Sequence, residues 1–201
     1  MNVIAKAGYL GIDESNHGRF PEIFVAVHSE FDCDTKPAYS LSEPLETIYK
    51  KQIPKVKKKR NIEITDIVKK RDFKYLLLTE DYKDRFGYEG VRAIAYAELI
   101  KSFSPLELVL IDREIDPMLR ENIARIVHPL PLPDIIAESN ADHRYPVVNM
   151  ADHIARKLFR YYQPFKNERA YLKYADYMIS PMKSTEYAPL VEVRPSRRSK
   201  E

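Results

Sequence analysis

The chain has 201 residues with one cysteine, no tryptophan, five glycines and only two glutamines, Gln52 and Gln163. Each scarcity excludes something. Cys33 alone cannot form an intramolecular disulfide, and no Cys-x-x-C exists for zinc or thiol exchange. No apolar run nears the ~18 residues of a membrane span. The opening MNVIAKAGYLGIDES has no long apolar stretch followed by small residues, so no signal peptide is expected. A cytoplasmic protein without a membrane partner is the expectation. Internal repeats and low-complexity tracts beyond short charge runs are also missing.

What is present suffices for a core: 44% of residues are hydrophobic, too many for wholesale disorder. Lys and Arg number 33 against 30 Asp and Glu, a formal net charge of +3. That sum says nothing about partners until the charges are placed.

Residues 7–12 (AGYLGI) read as a buried strand ending in Asp13-Glu14, and Asn16-His17-Gly18 reads as a turn. Residues 22–28 (EIFVAVH) and 73–80 (FKYLLLTE) are further strands by β-branched and aromatic content. Between them, residues 32–72 look like an insert carrying Pro37, Pro44 and Pro54 and a basic run, partly helical near 62–70. Val91, Ile94, Ala95 and Leu99 stand at helical spacing, predicting a helix over 91–103 that Pro105 stops. The run LELVLI (106–111) predicts a strand buried on both faces, ending in Asp112. Asp116-Pro117 opens a helix as N-cap and first helical position. A short strand over 135–137 and a long helix over 147–162 follow. The order β-β-β-α-β-α-β-α predicts an α/β fold, a mixed five-stranded sheet flanked by helices. Residues 1–165 would form the domain, and 166–201 a helical, tyrosine-rich and basic tail.

In such a sheet ligands gather at the carboxyl ends of parallel strands. Asp13 and Asp112 both fall at such ends. Converging carboxylates repel by ~4 kcal/mol per pair at 4 Å and an effective dielectric of 20. They persist when protonated, paired with Arg or Lys, or bound to a hard cation such as Mg²⁺ or Mn²⁺. A pair of such ions can serve phosphodiester hydrolysis. The plainer alternative is that these acids only end strands and cap turns.

GIDESNHG (11–18) followed by EIFVAVH resembles the opening of the type 2 ribonuclease H family. AESNADHRYPVVNMADHIARK (137–157) is similar to a later segment of that family, and LVLIDRE (108–114) stands where the family has a strand ending in Asp. The resemblance implies a ribonuclease H-like sheet and a four-carboxylate, two-metal nuclease using Mg²⁺ or Mn²⁺. Asp13, Glu14 and Asp112 match its first three acids. The fourth does not carry over residue for residue, and Asp152, in the first turns of the last long helix, is taken to complete the site. Glu114 stands in reserve.

For the substrate, the family's Gly-Arg-Gly is here Asn16-His17-Gly18, of which only Gly18 survives. His17 either contacts phosphate or shuttles a proton, or is a surface turn residue. Arg144 either holds a phosphate bidentately or, with Asp142, fixes the loop before Tyr145-Pro146. Lys57, Lys58, Lys59 and Arg60 form a basic run suited to nucleic-acid phosphates or to solvent. Tyr161, Tyr162, Tyr171, Tyr174 and Tyr177 either stack on bases or pack the C-terminal segment. The expected function is metal-dependent cleavage of RNA, RNA–DNA hybrid or structured DNA; the alternative is a nucleic-acid-binding module that kept the fold without catalysis. Oligomeric state is not legible.

Overall fold

The computed structural model describes residues 8–15, 21–37, 64–162 and 174–194. Strands β1 (Gly8–Ser15), β2 (Glu22–Ser29) and β3 (Asp72–Leu78) form an antiparallel meander. β4 (Leu106–Asp112) then pairs parallel with β1, and β5 (Asp134–Glu138) parallel with β4. The sheet order is β3-β2-β1-β4-β5, the mixed five-stranded arrangement expected. The described α-helices are α1 (Ile64–Ile67), α2 (Glu80–Phe103), α3 (Pro117–Val127), α4 (Pro146–Tyr162) and α5 (Ser184–Tyr187). Parallel pairing of β1 with β4 requires a long return, and α2 supplies it. None of the described helices is long and apolar enough to cross a membrane.

Alternation along the strands divides the core in two. Leu10, Ile12, Phe24, Ala26, Leu76 and Leu78 face α2 and α3, whereas Ile23, Val25, Val27, Tyr75 and Leu110 face α4. One helix departs from its expected bounds. α2 starts at Glu80 rather than near 91, because a polar first part is joined across Gly87 (φ 64, ψ −179). Glycine takes that left-handed backbone without a Cβ penalty, and Tyr82 and Phe86 still bury against the core. Asp116 caps α3 as expected, its carboxylate accepting from the Leu119 amide at 2.8 Å.

The C-terminal segment packs against both cores. Tyr174 is buried and stacks on Tyr161, Tyr177 stacks on Phe73 at 4.3 Å, and the Tyr75 and Tyr162 hydroxyls meet at 3.1 Å. Tyr187 is fully buried and donates to Glu98 Oε1 at 2.8 Å. These described tyrosines serve packing; Tyr171 lies outside the described residues. At the base of the insert, buried Asp34 accepts from Ser29 Oγ and from both Arg71 Nε (2.6 Å) and Nη2 (2.8 Å). That bidentate pair ties the chain just after β2 to the chain just before β3.

Gly11 brings helix and sheet together. A Cβ there would stand 2.6 Å from the Val147 carbonyl carbon and 2.7 Å from the Val148 nitrogen. Both obstacles are backbone, so no rotamer change relieves them. Gly11→Ala should therefore push the start of α4 off β1, at about 1–3 kcal/mol for overpacking. In a chain of this size that lowers the melting temperature by roughly 2–4 °C per kcal/mol, readable by circular dichroism.

Candidate active site

The site lies where β1 and β4 end. Even-numbered β1 residues face α2 and odd-numbered ones face α4, so Asp13 points to the α4 side with Gly11. Asp112 follows Leu110 by two and shares that side. Asp152 lies on α4, four residues after Val148 and so on the same helix face. Sheet alternation and helical periodicity thus bring Asp13, Asp112 and Asp152 to one place. Asp13 is 3% exposed and Asp152 7%, depths at which a carboxylate needs compensation.

Burial pushes the Asp13 carboxyl well above its ordinary range; Glu14, Asp152 and Asp112 push it further, against the Glu14 amide that donates to its Oδ1 at 2.7 Å. Among the described residues no cationic side chain pairs with Asp13. Asp112 is raised by burial, held down by the Ala141 amide that donates to it at 2.7 Å, and raised again by Asp142. Burial also raises Asp152, opposed by Arg156, whose Nε sits 2.6 Å from its Oδ1, and by His153.

Asp142 is a further acid of the site, beyond those expected from the sequence. It is 7% exposed, in the 3₁₀ turn Ala141–His143, and acts electrostatically on both Asp112 and Asp152. The Asn149 side-chain amide on α4 donates to its carbonyl at 2.9 Å, fixing the turn against the helix. Its signal in the sequence was the Ala-Asp pair before Tyr145-Pro146.

Glu14 adjoins these acids and acts electrostatically on both Asp13 and Asp112, but its side chain leaves on the opposite face of β1. It points toward α2, where Arg113 Nε meets its Oε1 at 2.8 Å and the Tyr96 hydroxyl lies 3.5 Å from its Oε2. Glu114 is exposed, and its carbonyl accepts from Arg92 at 3.0 Å. Arg144 is paired with Glu138, with its guanidinium 5.6 Å from the Tyr145 ring centre. Asn16, His17, Gly18, Lys57, Lys58, Lys59 and Arg60 lie outside the described residues. Among the described residues, no three His, Cys, Asp or Glu side chains are gathered tightly enough to form a ready-made metal shell. The donor set nevertheless suits a hard divalent ion: oxygen ligands, mutual repulsion, and no internal cation at Asp13.

A carboxyl whose folded pKa is raised binds its proton more tightly folded than unfolded. It stabilises the fold below the ordinary carboxylate range, and that contribution is lost as pH rises through the folded value. In chelator at neutral pH, Asp13→Asn should therefore melt a few degrees above the native protein, with the gap closing near pH 4. A lower melting temperature for the variant at neutral pH would contradict the repulsion described.

The sequence matches no protein-family model and no curated protein. Solved structures are similar. RNase HII of Archaeoglobus fulgidus, determined with PCNA, shares 21% identity over 96% of this chain and 98% of its own, at a TM-score of 0.51. Ribonuclease H2 of Pyrococcus horikoshii OT3 shares 18% over 80% and 79%, at 0.46. Bst-RNase HIII, determined with Mn²⁺, shares 16% over 77% and 52%, at 0.47. The Archaeoglobus fulgidus likeness spans both chains nearly end to end. With the observed strand order it establishes that this chain has the ribonuclease H-like fold.

Proposed function

We propose that the protein is a divalent-metal-dependent nuclease that hydrolyses phosphodiester bonds in RNA, RNA–DNA hybrid or structured DNA. The observation that carries this reading is Asp13, buried among carboxylates from two other elements with no cationic partner among the described residues. Bound Mg²⁺ or Mn²⁺ would polarise the scissile phosphate and lower the pKa of an attacking water. Asp13, Asp112 and Asp152 would hold the metal, with Asp142 beside Asp112 and Asp152. Asp152 would exchange its contact with Arg156 for the metal. The Ala141 amide, donating to Oδ1, would orient the Asp112 carboxylate. Arg144, at the rim, and the basic run Lys57, Lys58, Lys59 and Arg60 would meet backbone phosphates, a sequence-independent and salt-sensitive contact.

A binding module without catalysis is the second reading. Its support is that Arg113 and Arg156 already neutralise Glu14 and Asp152.

The deciding experiment incubates labelled RNA, DNA and hybrid with the protein in Mn²⁺, Mg²⁺ or chelator. Cleavage should require the ion and fall by at least about 100-fold in Asp13→Asn and Asp112→Asn, the scale for losing one electrostatic stabiliser of a transition state. Binding in gel shift should survive both substitutions. Binding by the native protein with no cleavage of any substrate would establish the module and end the nuclease reading.

A further inference from the structure

Adjacent acids on a strand point to opposite faces, and Asp13 and Glu14 have correspondingly different surroundings. The Glu14 side chain is 0% exposed and sits in a cage built by α2 and the residue after β4. Arg113 forms an ion pair with Glu14, its Nε 2.8 Å from Oε1 although no hydrogen bond reaches that oxygen, and its Nη1 donates to the Tyr88 hydroxyl at 2.7 Å. The Tyr88 hydroxyl in turn lies 3.3 Å from Oε1 of buried Glu22. On the other side, the Tyr96 hydroxyl faces Glu14 Oε2 and accepts from Arg92 Nε at 3.2 Å.

The backbone supplies an independent observation. Arg113 has φ 110, a left-handed conformation that side-chain-bearing residues rarely adopt and that strains the chain where it persists. Its amide donates to the Glu138 carbonyl at 2.9 Å, continuing the β4–β5 ladder by one step. An arginine thus stands where glycine would be easiest, directly after Asp112, with its charge on a fully buried carboxylate.

We propose that Arg113 is the fixed counter-cation of Glu14, so that the centre takes one divalent ion on its α4 side rather than a pair. The proposal rests on the metal-dependent reading above. For Glu14 to ligate an ion, it must leave a buried ion pair and strand the guanidinium beside an incoming dication. Asp13 and Asp112 face no such exchange, since neither has a cationic partner among the described residues. Arg113 is therefore a positioning residue that sets metal stoichiometry.

Mn²⁺ titration of the full chain by calorimetry, with electron paramagnetic resonance at saturation, tests this without any substrate. The native protein should bind one ion per chain and give the spectrum of an isolated Mn²⁺. Glu14→Gln should keep one ion with Kd within about threefold of native, whereas Asp13→Asn should weaken binding at least about tenfold. Arg113→Gly, which suits the backbone at that φ, should admit a second ion and show exchange coupling between the two. Thermal melts establish that each variant is folded, and the Glu14→Gln comparison stands even if Arg113→Gly does not fold. Two ions in the native protein, a Glu14→Gln loss as large as that of Asp13→Asn, or a folded Arg113→Gly that still takes one ion would each overturn the proposal. No Mn²⁺ binding by the native protein would instead remove the metal reading itself, and this inference with it.

Discussion

Along β1 the side-chain period of two sends Asp13 toward α4 and Glu14 toward α2. Most of what is distinctive about the site follows from that division. Glu14 meets a cation and a tyrosine hydroxyl supplied by the α2 side, so its charge is neutralised within the protein. Asp13 meets Asp112 and Asp152 instead, so its charge is compounded. Neutrality on one face and excess negative charge on the other arise from neighbouring residues of the same chemistry.

Keeping those acids together is costly. Burial and neighbouring carboxylates raise Asp13, Asp112 and Asp152 alike. The surrounding structure offsets that cost with contacts that do not neutralise Asp13. The Ala141 amide stabilises ionised Asp112, Asn149 pins the turn that carries Asp142, and Arg156 takes part of the charge of Asp152. The apolar layer beneath, with Gly11 allowing α4 to lie directly on β1, holds the helix where Asp152 is needed. Packing energy thus maintains an electrostatically strained arrangement, a common condition of binding sites.

Much of the fold was legible because its signals are local. Apolar runs ending in acids marked β1 and β4, and Asp116-Pro117 marked the start of α3. The early part of α2 was hidden, since residues 80–86 offer only Tyr82 and Phe86 among charged residues and join the helix only across Gly87. Within the site, Asp13, Asp112 and Asp152 were readable as acids at strand ends or in the first turns of a helix. Glu14 was readable as an acid but not as a caged one. Its partners Arg113 and Tyr96 lie about 80–100 positions away, and no local pattern announces pairing at that separation.

By itself the sequence determined which side chains end the strands, their alternation, and therefore that Asp13 and Glu14 must part company. Those are consequences of covalent order and backbone geometry. Only the tertiary structure decided which partners wait on each face. Arg113 and α2 neutralise one carboxylate while α4 and the turn before it add further acids to the other. That outcome depends on which elements pack against which side of the sheet, a choice made by burial across the whole domain rather than by any residue's neighbours in the chain.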